Sequence, residues 1–173
     1  MKTIKLIQGT PEWHAYRITK RNASDAPAMF GCSPHETRNQ LLHRLATGIA
    51  PEIDAGLQRR FDDGHRFEAL ARPLAEEIIG EVLYPVTGSE GQLSASFDGL
   101  TMSEEIAFEH KSLNEELRAA MPENLPQIGC LSGAFPAQYR VQMEQQLMVS
   151  GASKCYLWPQ SGMATRSEEH TSE

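Results

Sequence analysis

Residues 92–111 read QLSASFDGLTMSEEIAFEHK, and this stretch decides the fold. Its two ends, 92–97 and 106–111, are short and either apolar or alternating, which predicts two β-strands. Asp98 and the glycine after it are typical of a turn, so we expect the first strand to end at Asp98. A third strand is predicted at 81–87. The middle of the chain is therefore expected to form a small sheet.

Helical periodicity flanks this sheet on both sides. Apolar residues at i, i+3, i+4, i+7, i+8 and i+11 predict a helix with one buried face, ending at Gly80, and Pro73 is expected to kink or break it. The stripe consists of Phe67, Leu70, Ala71, Leu74, Ala75 and Ile78. Further helices are predicted at 23–30, 37–46 and 139–150, and a last strand at 154–158. The stretch 112–136 is expected to be a long loop because it lacks periodicity and holds several Pro and Gly. This order predicts a mixed α/β domain with a small central sheet flanked by helices.

Composition indicates one folded domain. The chain has 173 residues, of which 40% are hydrophobic and 23% charged, with a formal net charge of −7. No apolar run is long enough to cross a membrane. The three cysteines form no C-x-x-C pair, which disfavours a zinc ribbon or a disulfide scaffold and favours a reducing, cytoplasmic compartment. The negative charge disfavours a protein that coats nucleic acid but is compatible with a nuclease whose acidic site binds metal ions.

Charged residues cluster on the two predicted central strands. In an extended strand Glu109 and Lys111 project to one face, and pairing of the strands brings Asp98 beside Glu109. Neighbouring carboxylates repel unless a cation lies between them, and oxygen ligands favour Mg²⁺ or Mn²⁺ over zinc. Glu68 can add a third carboxylate, and Lys111 can polarise a water or stabilise developing negative charge. The plainer alternative is a strand edge with ordinary solvated charges.

Five motifs occur in order along the chain. They are GTPEWHAYRITKRNASD at 9–25, G-x-x-x-E at 64–68, SFDGL at 96–100, EHK at 109–111 and Y-x-x-Q at 139–142. Together they resemble the YqaJ-like viral recombinase and phage lambda exonuclease family of the PD-(D/E)XK nuclease superfamily. The resemblance extends over residues 8–158. Phe97 replaces a proline often found in the family, and Ser112-Leu113 replaces a Cys-Pro pair, but neither change removes a proposed ligand.

The resemblance implies a restriction-endonuclease-like PD-(D/E)XK core with a metal site. Asp98, Glu109 and the carbonyl of His110 would hold metal, and Glu68 would complete a second site. Two Mg²⁺ (or Mn²⁺) ions are therefore expected.

The same resemblance implies roles for five further polar residues, two beside the metal and three at the end of the DNA. Lys111 would orient the attacking water, helped by Gln142 from a facing helix. Arg17, Ser24 and Ser96 match positions that bind a terminal 5′-phosphate in such exonucleases. An arginine fork and two hydroxyl groups suit the oxygens of a phosphate.

The predicted function is a metal-dependent DNA exonuclease that degrades duplexes from 5′-phosphorylated ends in phage-type recombination. The resemblance also implies double-stranded DNA ends as substrate, a single-strand annealing protein as partner and a ring-shaped trimer. Two alternatives remain open: an endonuclease of a restriction or repair system on the same fold, and an inactive, truncated DNA-binding remnant.

The end of the sequence does not fit the domain. The tail RSEEHTSE, residues 166–173, resembles a translated sequencing adapter and is expected to be non-native. The nuclease domain is then expected to comprise residues 1–165 and to be truncated. The last predicted strand, 154–158, has two apolar or amphipathic faces and is expected to lack cover, because only a short segment follows it.

Overall fold

A mixed sheet with helices on both faces forms the framework of the chain. The computed structural model describes residues 1–49, 55–120 and 135–160. The strands in these ranges are β1 (Lys2–Ile4), β2 (Arg21–Asn22), β3 (Leu83–Glu90), β4 (Leu93–Thr101), β5 (Ile106–Ser112) and β6 (Lys154–Gln160). The helices are α1 (Pro11–Ile18), α2 (Ala26–Met29), α3 (Arg38–Thr47), α4 (Ala55–Ile79), α5 (Glu115–Ala120) and α6 (Ala137–Ser150). A short 3₁₀ turn, Ala23–Asp25, precedes α2.

The strand order places β4 and β5 near the middle of the sheet. The order is β1-β3-β4-β5-β6, and β2 pairs in parallel with the start of β4. Neighbours from β1 to β5 are antiparallel, whereas β5 and β6 are parallel. Parallel neighbours need a crossover, and α6 lies in the connection between β5 and β6. The crossover carries α6 across the face of the two strands that bear the predicted site.

The two faces of the sheet have separate apolar cores. On one face Met143 of α6 packs with Phe97 and Leu157, all fully buried. On the other face Ala71 of α4 packs with Phe108 of β5. Since side chains alternate along a strand, β5 contributes to both cores and is covered on each side.

Several predicted elements are confirmed with shifted ends. The helices expected at 37–46 and 139–150 are α3 and α6, and the segment 23–30 forms the 3₁₀ turn and α2. Glutamine and threonine side chains of a capping box start α3, and Gly48, with φ of 72°, ends it. The strands expected at 81–87, 106–111 and 154–158 are β3, β5 and β6.

The predicted turn at Asp98 is wrong. β4 continues through it to Thr101, and the turn falls at 102–105. Phe97 pairs with Val86 and Leu100 with Tyr84, so two residues of β4 face one of β3, which is a β-bulge. A Cβ at Gly99 would lie 2.8 Å from the Cβ of Leu83, so the close approach requires glycine here.

The apolar stripe of α4 is only partly buried. Its buried members are the small residues Ala71 and Ala75, whereas Leu70, Leu74 and Ile78 are exposed. The helix begins 12 residues before Phe67 and runs through Pro73 to Ile79, so the expected break is not found. A shallow alanine face lets α4 lie close against the sheet.

Two further expectations need correction. The loop expected at 112–136 contains α5 at Glu115–Ala120, while 121–134 lie outside the described residues. β6 does not lack cover, since Leu157 is buried in the core beside α6 and Trp158 in the core beside α4. The short strands β1 and β2 were not predicted. The tail 166–173 also lies outside the described residues.

Candidate active site

The bulge in β4 turns Asp98 towards β5. β4 and β5 pair at Gly99 with Phe108 and at Leu100 with Ala107, so the register places Asp98 opposite Glu109. Asp98 Oδ2 accepts a hydrogen bond of 2.8 Å from the backbone N–H of His110. The Asp98 carboxylate thus accepts a hydrogen bond that a main-chain carbonyl would accept in a regular ladder. It lies beside the carboxylate of Glu109.

Glu109 is buried and accepts hydrogen bonds at both carboxylate oxygens. Oε1 accepts from Lys111 Nζ at 2.5 Å and from Gln142 Nε2 at 2.6 Å. Oε2 accepts from Gln146 Nε2 at 2.5 Å. The two glutamines are one turn apart on α6 and both reach β5, because α6 crosses the face to which Glu109 and Lys111 project. The predicted sharing of a face by Glu109 and Lys111 is confirmed.

Glu68 reaches the same region from α4 on the other side. Its Oε1 accepts a hydrogen bond from Arg72 Nη2, one turn further along the helix. Arg72 Nε also donates to the carbonyl of Asp98 at 2.9 Å. The guanidinium therefore joins α4 to the bulge of β4 and balances the charge of one carboxylate.

Burial and mutual repulsion shape the ionisation of this group. Burial raises the pKa of Asp98 well above its usual value, and the charges of Glu109 and Glu68 raise it further. Burial lowers the pKa of Lys111, but Glu109 and Asp98 outweigh this effect and the net change is upward. Lys111 therefore stays charged beside the carboxylates. Burial lowers the pKa of His110 to about 4, so its ring is neutral at pH 7.

A cavity of about 250 Å³ opens onto these carboxylates. Its lining consists of Gly64, His65, Glu68, Asp98, Glu109, His110, Lys111 and Ser112. A cavity of about 350 Å³ continues past His65 and Glu68 towards the loop after β1. A larger cavity of about 500 Å³ beside α3 contains none of these residues. The cavity of about 250 Å³ is the candidate active site, because the acidic residues and Lys111 converge there. We call Glu68, Asp98 and Glu109 the acidic cluster.

The acidic cluster has the donor chemistry of a hard-cation site. Carboxylate oxygens are the ligands that Mg²⁺ and Mn²⁺ prefer. Among the described residues, however, no three His, Cys, Asp or Glu side chains converge tightly enough to form a metal site as they stand. Glu68 faces Arg72, so it would have to turn to join Asp98 and Glu109. With that turn, the carboxylates present fit a divalent cation, whose charge would offset the burial of Asp98 and its repulsion by Glu109 and Glu68.

Arg17, Ser24 and Ser96 gather around Trp13. Arg17 Nη2 donates to Ser24 Oγ at 2.7 Å, and its guanidinium lies 4.4 Å from the centre of the Trp13 ring. Trp13 Nε1 donates to Ser96 Oγ at 3.1 Å and to Thr87 Oγ1 at 3.2 Å. Thr10 starts α1 by capping the N–H of Trp13, which orients Trp13 and Arg17 on the helix. We call Arg17, Ser24 and Ser96 the end pocket, after the role in binding a terminal phosphate that the sequence predicts for them.

An ion cluster beneath Ser24 supports this arrangement. Arg44 of α3 contacts Asp25 Oδ1 and Glu36 Oε2, each at 2.9 Å. Asp25 Oδ2 in turn accepts from Asn22 Nδ2 at 2.8 Å. Burial lowers the pKa of Arg17 and the charge of Asp25 raises it, with a net downward shift. The turn that carries Ser24 is thus fixed from both sides.

The structure places the sequence-predicted residues in two groups. The acidic cluster, Lys111 and Gln142 lie together, with His110 in the wall of the same cavity. The end pocket lies apart from the acidic cluster. The two groups are linked through β4, on which Ser96 precedes Asp98 by two residues. The sequence interpretation missed Gln146 and Arg72. Each is four residues after a predicted site residue on the same helix, and this spacing could have indicated both.

Comparison with known proteins identifies the family. The family profile of the YqaJ-like viral recombinase domain matches residues 12–153. Comparison with curated proteins gives no match. Two solved structures of LHK-Exo share the fold, the second described as an alkaline exonuclease from Laribacter hongkongensis. The complex with dAMP has a TM-score of 0.61 at 23% identity, and the other has 0.60 at 24%. Each similarity covers 86% of this chain and 72% of the other.

The fold likeness confirms the predicted restriction-endonuclease-like core, a mixed α/β sheet flanked by helices. In the ranges that the structure describes, none of the helices could span a membrane.

Proposed function

We propose, from the premise that this chain belongs to the YqaJ-like viral recombinase family, that it is a metal-dependent DNA exonuclease acting on 5′-phosphorylated duplex ends. The observation that carries the proposal is the cavity in which a lysine contacts a buried carboxylate beside a second carboxylate. A lysine among carboxylates suits phosphodiester hydrolysis, because it brings cation ligands and a positive charge to one phosphate.

The metal would be held by Asp98, Glu109 and the carbonyl of His110, with Glu68 completing a second site. Divalent cations bound there supply Lewis-acid stabilisation of negative charge on phosphate oxygens. Arg72 donates a hydrogen bond to Glu68. Binding of cations would therefore exchange one positive partner of Glu68 for another.

Lys111 and Gln142 would act on the water and the phosphate. Both donate to Oε1 of Glu109, and Lys111 also lines the cavity. A charged lysine beside the phosphate stabilises the negative charge that develops during attack by water. The amide of Gln142 can orient the water through a hydrogen bond.

The end pocket would select the substrate end. A terminal phosphate carries two negative charges and matches the guanidinium fork of Arg17. Ser24 beside Arg17 and Ser96 beside Trp13 offer hydroxyl donors, and the Trp13 ring supports one face of the Arg17 guanidinium. Family membership also supports a single-strand annealing protein as partner, a homotrimeric ring and a cytoplasmic location as parts of this proposal.

Cleavage of three DNA substrates tests the proposal. Linear duplex with 5′-phosphate, linear duplex with 5′-hydroxyl and closed circular duplex are incubated with the protein in Mg²⁺ or in EDTA. We expect degradation of linear duplex in Mg²⁺ only, with the phosphorylated end preferred and the circle intact. Cleavage of the circle would support the endonuclease alternative. Binding of DNA without cleavage in either Mg²⁺ or Mn²⁺ would support the inactive remnant.

A further inference from the structure

Gln146 is a buried amide in contact with three strands beside the candidate active site. Its side chain is fully buried. Nε2 donates to Glu109 Oε2 at 2.5 Å and to the carbonyl of Ser96 at 3.3 Å, and Oε1 accepts from the thiol of Cys155 at 3.7 Å. One side chain of α6 therefore contacts β4, β5 and β6.

The two oxygens of Glu109 have different surroundings. Oε1 accepts from Lys111 and Gln142, which are both partly exposed, and Lys111 lines the cavity. Oε2 accepts from Gln146, which has no exposed surface. A lysine on a flexible stem can move away when a cation arrives, whereas an amide packed among three strands cannot. A cation entering the cavity would thus meet Oε1.

We propose that Gln146 is a positioning residue for metal binding: it holds Oε2 of Glu109 inside the protein and presents Oε1 to the cation as a single-oxygen ligand. The same amide group fixes the carbonyl of Ser96, two residues before Asp98 on β4. In this proposal Gln146 therefore sets the distance between the carboxylates of Asp98 and Glu109. This inference rests on the proposed function, because it assumes that Glu109 binds a divalent cation.

The preceding residue provides a matched control. Gln145 Nε2 donates to the carbonyls of Arg21 at 2.7 Å and Ser94 at 3.2 Å. These bonds tie α6 to β2 and β4. Both of these bonds end at main-chain carbonyls, and neither involves the acidic cluster. Gln145→Met removes an amide of the same size from the same turn of α6. It therefore shows how much such a replacement changes the stability of the protein without removing a contact to Glu109.

Mn²⁺ binding without DNA tests the proposal. Titration calorimetry on the whole chain compares wild type, Gln146→Met, Gln146→Asn and Gln145→Met, and circular dichroism records each thermal transition. Methionine keeps the volume and removes the donor, while asparagine keeps the amide but is one carbon too short. We expect at least tenfold weaker Mn²⁺ binding for both Gln146 variants and a change within twofold for Gln145→Met.

Three results would overturn the proposal. They are Mn²⁺ binding within twofold of wild type by a folded Gln146 variant, an equal loss of affinity in Gln145→Met, and unfolding of both Gln146 variants while Gln145→Met folds. The last two would make the role of Gln146 purely structural. The proposed function is judged separately: wild type that binds Mn²⁺ but cleaves no DNA contradicts it, and the affinities still decide the role of Gln146. Wild type that binds no Mn²⁺ contradicts both.

Discussion

Glu109 of the acidic cluster and Arg17 of the end pocket differ in how firmly their side chains are held. Glu109 has three hydrogen-bond donors from two elements, and its side chain is 4% exposed. Arg17 has one side-chain hydrogen bond, to Ser24, and a stacking contact with Trp13 on a helix of eight residues. Glu109 is therefore a packed part of the core, whereas Arg17 is half-buried on a short helix.

This difference separates two tasks. Groups that stabilise charge during a reaction must be fixed beforehand, since reorganisation during the reaction would cost the energy they supply. A group that selects a substrate end needs only a difference in affinity between two ends. We therefore expect changes in the cluster to stop the chemistry and changes in the pocket to alter the choice of end.

The largest effect is expected from loss of a carboxylate. Asp98→Asn and Glu109→Gln should each abolish cleavage in Mg²⁺, because each removes a charged cation ligand. Binding of DNA should survive or tighten, because less negative charge faces the phosphates. Gel shifts in Ca²⁺ and cleavage in Mg²⁺ measure the two properties on one preparation. Undiminished hydrolysis by either variant would remove that residue from the site.

Loss of the lysine should come next. Lys111→Ala should lower the rate of the chemical step by about 10²-fold or more, as for one preorganised electrostatic donor. Lys111→Arg should not restore it, since the planar fork cannot occupy the position of a single ammonium group. Single-turnover cleavage measures the chemical step directly. Wild-type turnover in Lys111→Arg would contradict the role assigned to the ammonium group.

In the end pocket, the expected effect is on selectivity. Arg17→Ala should remove most of the preference for 5′-phosphate over 5′-hydroxyl, because a charged hydrogen bond to a dianion contributes about 1.5–3 kcal/mol. Ser24→Ala should reduce the preference less. The preference is measured by letting 5′-phosphate and 5′-hydroxyl duplexes compete for the enzyme in one reaction. A preference that survives Arg17→Ala would place the phosphate site elsewhere.

Asp98→Asn should also stabilise the metal-free protein. Burial and the charges of Glu109 and Glu68 raise the pKa of Asp98, so the folded state binds the proton more tightly than the unfolded chain. Ionised Asp98 therefore costs stability, and the cost grows as the pH rises from the unfolded pKa through the folded one. At pH 7 the asparagine variant should therefore melt above wild type, because it carries no buried charge at this position.

Thermal melts in EDTA at pH 7 and pH 4 measure this gain. The difference between the variant and wild type should shrink at pH 4, where Asp98 holds its proton. An asparagine variant that melts below wild type at pH 7 would contradict the electrostatic account of the cluster.

The smallest effect is expected from Gly64. It lies inside α4 and lines the cavity, and a Cβ there meets no described atom within 4 Å. Gly64→Ala should therefore raise the free energy of unfolding by about 0.5–1 kcal/mol, the usual gain for alanine in a helix. Urea unfolding measures it, with Ala69→Gly on the exposed side of the same helix as the opposite control. A loss of stability in Gly64→Ala would show that the backbone there needs glycine.

Local signals predicted α2, α3, α4, α6 and the four longer strands, because periodicity marks an element that packs one face against its neighbours, whereas α1 and α5 were not predicted. The helix α3 and the alternation in β5 depend on neighbours in the sequence, and both elements were predicted. The Asp98-Gly99 pair was read as a turn because turns and bulges use the same residue types. What distinguishes them is the pairing of β4 with β3, which is a long-range property.

The site was predicted as far as spacing along one element allows. The shared face of Glu109 and Lys111 follows from strand geometry, whereas the partners on α6 and α4 depend on how the helices cross the sheet. β1 and β2 were missed because strands of three and two residues carry no measurable period. The exposed Leu70, Leu74 and Ile78 show the same limit, since periodicity located the helix but not its buried side.

The central claim is that the acidic cluster performs the chemistry and the end pocket selects the end. The ratio of initial cleavage rates on 5′-phosphate and 5′-hydroxyl duplexes tests it most directly, measured for wild type, Lys111→Ala and Arg17→Ala. We predict that Lys111→Ala slows both substrates equally and keeps the wild-type ratio. Arg17→Ala should bring the ratio close to one while cleavage of the 5′-hydroxyl duplex is little changed. A ratio that collapses in Lys111→Ala, or equal slowing of both substrates in Arg17→Ala, would contradict the account.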